Sequence, residues 1–83
     1  MATLDLKALR HFVSVAESLS FARAAERLGT SQPVVTRTVA QLEHNLGAKL
    51  FERTTRRVAL TPAGVVLLKA ARPLLGQAEA LQR

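Results

Sequence analysis

Residues 20–43, SFARAAERLGTSQPVVTRTVAQLE, contain the features that decide the fold. Ser20 is placed to cap a short helix, because its hydroxyl can accept a backbone N–H that is free in the first turn. Gly29 is predicted to end this helix, since glycine readily adopts the left-handed conformation common at helix C-termini. Thr30 and Ser31 follow directly and are candidate caps of the next helix. The two helices therefore nearly abut.

A connection this short makes the helices cross steeply with their backbones close together. Ala24 and Ala25 supply the small side chains that such an approach requires. The spacing of Ala25, Gly29 and Val35 is typical of a helix-turn-helix. The alternative for the same residues is a pair of ordinary helices joined by a tight turn.

The third helix, about residues 31–45, has two chemically different sides at about 100° per residue. The side predicted to be buried consists of Val35, Val39, Leu42 and Leu46. The opposite side, its shoulders and its N-terminal end consist of Gln32, Pro33, Val34, Thr36, Arg37, Ala40, Gln41 and His44. Amides, short side chains and a single arginine suit the major groove of DNA better than they suit a face kept solvated. Pro33 is tolerated here because N–H groups in the first turn have no helical partner, so its missing N–H costs no hydrogen bond.

A basic stretch, KLFERTTRR, extends from Lys49 to Arg57 in a chain whose net charge is +6. Such a run attracts phosphate, but it is also common on a merely solvated face. Leu50 and Phe51 precede the polar turn, and Val58 and Leu60 alternate with polar or small residues after it. This pattern predicts two short strands around a basic turn, a wing over about residues 51–60.

The first and last segments are predicted to be helices. The segment LDLKALRHFVSVAESLS has an apolar stripe formed by Leu6, Leu9, Phe12, Val13 and Ala16. The last helix is predicted to begin with Thr61 as its cap and Pro62 at its first position.

The last helix carries a coiled-coil-like apolar seam. Its residues are Leu67, Leu68, Ala71, Leu74, Leu75, Ala78 and Leu81. The seam could pack on its own domain or pair with a second copy. Its length favours pairing, because an exposed stripe of this size is a liability on a monomer. Pro73 and Gly76 leave two outcomes for the helix: that it runs through, or that it kinks or ends near Arg72.

Composition excludes several classes of function. No stretch approaches the ~18 apolar residues of a membrane span, no secretory signal is visible, and the chain has no cysteine. His11 and His44 are far apart and the six acids form no local cluster, so an enzyme is disfavoured and no metal or cofactor is expected. A lone helical histidine such as His11 is predicted to be a surface residue. A protein-interaction module is the stronger alternative to DNA binding.

The chain resembles the DNA-binding domain of the LysR-type transcriptional regulators. The resemblance rests on SFARAAERLGTSQP, VTRTVAQLE, LGAKLFER and LTPAG, in this order and spacing, and covers nearly the whole sequence. It implies a mainly α fold: a winged helix-turn-helix with a three-helix core and a two-stranded wing over residues 1–61, then a long linker and dimerisation helix over residues 62–83. It also implies a cytoplasmic bacterial homodimer, with a tetramer open to the intact protein.

The resemblance further implies that the partner is double-stranded operator DNA. The residues placed at the DNA are Ser20, Ser31, Gln32, Pro33, Val34, Thr36, Arg37, Gln41, Arg53, Thr54, Thr55, Arg56 and Arg57. A small-molecule effector is expected only for a C-terminal domain absent from this chain, which is accordingly interpreted as a DNA-binding fragment.

Overall fold

The computed structural model describes residues 5–82. Within this range the elements, in chain order, are α1 (Leu6–Ser18), α2 (Phe21–Leu28), α3 (Gln32–Leu46), β1 (Phe51–Arg53), β2 (Val58–Leu60) and α4 (Pro62–Leu81). The two strands form an antiparallel hairpin in which Phe51 pairs with Leu60 and Arg53 with Val58. The winged helix-turn-helix architecture predicted from the sequence is confirmed.

The predicted helix boundaries rest on side-chain caps. The Ser20 hydroxyl accepts the Arg23 N–H at 3.1 Å, and Gly29 ends α2 in the left-handed region with φ 67°. Ser31, rather than Thr30, caps α3. In both helices the cap satisfies one of the backbone N–H groups that the first turn leaves free.

α1 lies at the centre of the domain and packs against α2, α3 and α4. Its predicted stripe is largely confirmed, since Leu9, Phe12 and Ala16 are buried. Leu6 and Val13 are only partly buried. The remaining core comes from the other helices and from the start of the wing, namely Phe21, Ala24, Ala25, Val35, Val39, Leu42, Leu50, Phe51, Ala71 and Leu75.

The prediction that His11 is a surface residue is wrong, because α1 is covered on several sides and His11 is buried. Its Nδ1 lies 2.8 Å from the Lys7 carbonyl oxygen. A carbonyl oxygen only accepts, so Nδ1 carries the proton and donates. Among the described residues, Nε2 has no hydrogen-bond partner.

The prediction that Leu46 belongs to the buried side of α3 is also wrong. Val35 and Val39 are fully buried, but Leu46 is 50% exposed. The helix ends at Leu46, and Gly47 follows in the left-handed region with φ 69°. The last turn of α3 therefore extends past the surface that covers the rest of its apolar side.

α4 continues through Pro73 to Leu81, so the helix does not end near Arg72. Its apolar seam divides between two environments. Ala71 and Leu75 are buried in the chain's own core, and Leu67 and Leu68 pack partly against it. For Ala71 and Leu75, the alternative in which the seam packs on its own domain therefore holds, and the favoured pairing with a second copy does not. Over residues 5–82, no helix has the length and apolar character that a membrane crossing needs.

Candidate nucleic-acid interface

The N-terminal half of α3 presents an open surface to solvent. Gln32, Pro33, Thr36, Arg37 and Ala40 line a shallow depression on it. Thr36 is half-buried and the other four are exposed. This side is opposite Val35 and Val39, which anchor the helix in the core. These five of the residues predicted for the groove face thus share one surface, on a helix that cannot rotate without exposing its apolar side.

The charge of this surface is suited to phosphate and to base edges. In the described part of the chain, Arg37 forms no ion pair, and no acidic side chain lines the depression. Gln41 is exposed, and its amide nitrogen donates to Asn45 at 3.0 Å. Val34 is half-buried, and its carbonyl oxygen accepts the Thr38 hydroxyl at 2.8 Å. An arginine and glutamines on such a face match the donor and acceptor pattern of the major groove.

Ser20 and Ser31 both stand at helix N-termini. The Ser31 hydroxyl oxygen accepts the Val34 N–H at 3.4 Å, and Ser31 is exposed. A capping hydroxyl uses its oxygen as acceptor, so its own proton is left to donate to another group. Each serine can therefore cap its helix and donate to an anion at the positive end of the helix dipole.

The wing turn is organised by Thr54. Its hydroxyl oxygen accepts the Arg56 and Arg57 N–H groups at 3.2 and 3.1 Å, and its own N–H donates to the Arg57 carbonyl oxygen at 2.9 Å. Thr55, Arg56 and Arg57 are exposed. Neither Arg56 nor Arg57 forms an ion pair within residues 5–82. The turn therefore projects two unpaired guanidinium groups from a hydrogen-bonded base.

Arg53 has a different environment from the other two wing arginines. Its guanidinium carbon lies 4.3 Å from the centroid of the Phe21 ring, and one of its nitrogens lies 3.8 Å from a carboxylate oxygen of Glu43. Its side chain is 35% exposed. Arg53 thus stacks on α2 and faces α3 while it lies on β1.

Glu43 is the residue beside this site whose contacts sequence reasoning missed. It is buried at 5% exposure, and its second carboxylate oxygen accepts the Leu50 N–H at 2.8 Å and the Phe51 N–H at 3.3 Å. A buried carboxylate is costly unless it is hydrogen-bonded or paired. The available signal was its position four residues after Val39, on the apolar side of α3.

Aromatic packing fixes the base of the wing to the helices. The ring of Phe51 lies 5.4 Å from that of Phe12 and 5.8 Å from that of Phe21, centroid to centroid. These three phenylalanines are the only Phe, Tyr or Trp residues of the chain. They join α1, α2 and β1 at one point, beside the contact between Arg53 and Glu43.

The geometry combines a helix-turn-helix, an exposed and acid-free helix face, and a basic hairpin. Residues 6–65 match the family model described as the bacterial regulatory helix-turn-helix protein, lysR family. The chain belongs to this family. As a LysR-type protein, it is a winged helix-turn-helix DNA-binding domain.

Curated LysR relatives are regulators of transcription. The chain is 51% identical over 72 residues to the transcriptional regulator TfdT of Cupriavidus pinatubonensis, covering 87% of this chain and 32% of TfdT. It is 54% identical over 76 residues to the transcriptional activator AllS of Klebsiella pneumoniae, covering 92% of this chain and 28% of AllS. The chain therefore spans about a third of these relatives or less.

Solved structures give the same fold. The DNA-binding domain of BenM, in complex with benA site 1 DNA, matches with a TM-score of 0.88 and 38% identity, over 94% of this chain and 88% of that one. Oxidised OxyR of Corynebacterium glutamicum matches with a TM-score of 0.94 and 42% identity, over 98% of this chain and 25% of that one.

Proposed function

We propose that this chain binds duplex operator DNA sequence-specifically as the DNA-binding part of a bacterial transcription regulator, and that it is not an enzyme. Residues 1–61 form the DNA-binding unit in this proposal, and residues 62–83 form a linker and dimerisation helix. The observation that carries the proposal is the exposed, acid-free face of α3, with its unpaired Arg37, on the same chain as the basic wing turn. The complex of BenM with DNA supports it, because the two folds match.

In this proposal α3 reads the major groove. Gln32, Arg37 and Gln41 reach base edges, and the short side chains of Pro33 and Thr36 allow close approach. Val34 contributes apolar contact at the shoulder. Ser20 and Ser31 donate hydrogen bonds to phosphates at helix N-termini.

The wing acts on the backbone or the minor groove. Its contacts are assigned to Arg53, Thr54, Thr55, Arg56 and Arg57, with the unpaired Arg56 and Arg57 providing most of the attraction. Because such contacts are electrostatic, they add affinity for any duplex more than they select a sequence.

The first experiment tests α3. A preferred duplex is selected from a random pool, and its affinity is measured for the parent and for Arg37→Ala. The variant should lose roughly 1–3 kcal/mol on the preferred duplex if the guanidinium reads a guanine, and lose uniformly on all duplexes if it holds a phosphate. Arg72→Ala is the control for the loss of one positive charge, because Arg72 lies on α4, pairs with Glu17 on α1 at 3.3 Å and does not line the α3 depression. Equal affinity of Arg37→Ala and Arg72→Ala on every duplex would exclude α3 as the reading helix.

The second experiment tests the wing. Arg56→Gln and Arg57→Gln together should reduce the slope of log K against log salt by about 0.9 for each phosphate that the variant no longer neutralises. Circular dichroism confirms that the variant is folded. An unchanged slope would make the wing a solvated turn. A parent that binds no duplex would instead favour a protein-interaction module.

We further propose that two copies pair through the exposed part of α4. The residues available for pairing are Leu67, Leu68, Leu74, Ala78 and Leu81, of which Leu74 is 37% and Leu81 87% exposed. Leu74→Asp should sediment as a monomer where the parent is a dimer, since the change puts an unpaired charge in the interface. Gln77→Asp, which adds the same charge at an exposed position, should remain a dimer.

A two-fold dimer should prefer an approximately palindromic operator with half-sites about one helical turn apart or a multiple of that. Leu74→Asp should therefore lose more affinity for the full operator than for one half-site. A monomeric parent that binds both equally well would contradict pairing. In the whole regulator, acting on operator DNA in the bacterial cytoplasm, a small-molecule effector is assigned to a separate domain.

A further inference from the structure

Two parts of this chain are proposed to touch DNA at once, and they are joined by a short segment without regular structure. α3 ends at Leu46 and β1 begins at Phe51. Most of the side chains proposed to face DNA lie in the N-terminal half of α3 and in the wing. Binding both at once therefore requires something that fixes the start of β1 relative to α3.

Glu43 bridges this joint. Its side chain leaves the C-terminal half of α3, and one carboxylate oxygen accepts the N–H groups of Leu50 and Phe51, at 2.8 and 3.3 Å. The Leu50 carbonyl oxygen in turn accepts the Thr61 N–H at 3.0 Å, at the point where β2 leads into α4. The entry of the wing is thus held on one side by α3 and on the other by the start of α4.

The other carboxylate oxygen of Glu43, Oε1, faces Arg53 at 3.8 Å. Arg53 is held from its other side by the Phe21 ring. A carboxylate this deeply buried needs such partners, because burial removes most of its hydration and no other cation of the described residues pairs with it. The Arg53 side chain therefore connects β1 to both α2 and α3.

We propose that Glu43 is a positioning residue for DNA binding. It holds the wing in a fixed orientation relative to α3, through its contacts with Arg53 and with the Leu50 and Phe51 backbone N–H groups. The inference rests on the proposed function. When the wing is held in place, docking α3 also brings the wing to its phosphates, and the wing loses no further conformational freedom on binding. When the joint is loosened, the wing has to become ordered as it binds, and the conformational entropy lost in that step weakens binding.

Glu43→Gln isolates the charge. The amide keeps an oxygen that can accept from Leu50 and Phe51, but it removes the attraction to Arg53. Glu43→Ala is less informative, because it leaves both buried N–H groups without an acceptor and so mixes folding with binding. Glu52→Gln is the matched control: Glu52 is the acidic neighbour on β1, it is exposed, and it makes no ion pair in the described chain.

Only Glu43→Gln should weaken the affinity for DNA. Both variants remove one negative charge, which by itself strengthens attraction to phosphate. Glu52→Gln should therefore bind the selected duplex as well as the parent or slightly better. Glu43→Gln should bind it about two- to tenfold more weakly, the lower part of the range typical of coupling between neighbouring side chains.

A shortened duplex separates positioning from general destabilisation. The selected duplex is trimmed from the side under the wing until the parent's salt slope falls to that of the variant with both Arg56→Gln and Arg57→Gln. On this duplex Glu43→Gln should bind like the parent, because α3 alone carries the contacts. A purely structural role for Glu43 would weaken binding to both duplexes alike.

Hydrogen exchange gives a reading that does not depend on DNA. The Leu50 and Phe51 amides should exchange faster in Glu43→Gln than in Glu52→Gln, while the core amides of α1 keep their rates. If Glu43→Gln follows Glu52→Gln both in affinity and in exchange, the inference is overturned and DNA binding itself stands. If the parent binds no duplex, the proposed function fails, and the positioning role for DNA fails with it.

Discussion

α3 and α4 both carry an apolar stripe at helical spacing, but the two stripes meet different surroundings. In α3 the stripe is covered by the chain itself up to Leu42, and only Leu46 is left exposed. In α4 the same seam contains buried Ala71 and Leu75 and exposed Leu74 and Leu81. Periodicity therefore identifies an apolar side, but the number of elements packed around a helix decides how much of that side is covered.

The largest expected effect separates the two sides of α4. Leu75→Ala should lower the free energy of unfolding by about 2–5 kcal/mol, because it opens a cavity in the core. Leu74→Ala, at a partly exposed site, should cost about 1 kcal/mol or less in the monomer. Chemical denaturation at low protein concentration measures both.

Repeating the denaturation at higher concentration sharpens the contrast. If α4 pairs through Leu74, the cost of Leu74→Ala should grow with protein concentration, since dimer formation stabilises the folded state by mass action. The cost of Leu75→Ala should change little. Equal costs at every concentration would contradict the division of the seam.

The next effect concerns the prolines of α4. Pro73 lies inside the helix, where it removes an N–H donor for the Lys69 carbonyl, so Pro73→Ala should raise the free energy of unfolding by as much as about 3 kcal/mol. Pro62 stands in the first turn, and Pro62→Ala should change it by no more than about 0.5 kcal/mol. Thermal unfolding followed by circular dichroism compares them. Indistinguishable melting temperatures would show that the helix beyond Arg72 adds nothing to stability.

Local signals made both ends of α2 and the start of α4 predictable from the sequence. Ser20, Gly29 and Thr61 act through their immediate neighbours, so their roles as caps and stop were predicted correctly. The burial of His11 and Glu43 depends on elements distant in sequence, so the position of Glu43 four residues after Val39 indicated its side of the helix but not its partners. Likewise, the helical periodicity that correctly placed Val35 and Val39 on the buried side could not show that Leu46 extends past the elements that cover this side.

A glycine pair in α4 tests how closely this helix approaches the wing. A Cβ on Gly64 would collide with the Leu50 carbonyl oxygen and lie 2.8 Å from the Leu60 side chain, so Gly64→Ala should cost about 1–3 kcal/mol. Apart from its chain neighbours and the backbone of its own helix, no heavy atom of the described residues lies within 4 Å of such a Cβ at Gly76. Gly76→Ala should therefore stabilise the protein by about 0.5–1 kcal/mol through helix propensity. A gain in both variants would mean that α4 can move away from Leu50.

The smallest expected effects on stability come from the caps of α3 and α4. The Thr61 hydroxyl is buried, accepts the Gly64 N–H at 3.0 Å and donates to the Lys49 carbonyl oxygen at 2.6 Å. The Ser31 hydroxyl is exposed and makes one longer capping bond, of 3.4 Å. Thr61→Ala should therefore cost about 1–2 kcal/mol of stability, and Ser31→Ala about 0.5 kcal/mol.

For the affinity for DNA, the change at Ser31 should matter more than the change at Thr61. Ser31 keeps a free hydroxyl proton at the N-terminus of the helix proposed to enter the groove, so Ser31→Ala should weaken affinity for every duplex by a similar factor, because a hydrogen bond to phosphate carries no sequence information. Thr61→Ala should leave affinity unchanged at temperatures where it is fully folded. If Ser31→Ala alters only stability, its hydroxyl is a cap alone, and the N-terminus of α3 meets DNA through Gln32 and Arg37 without it.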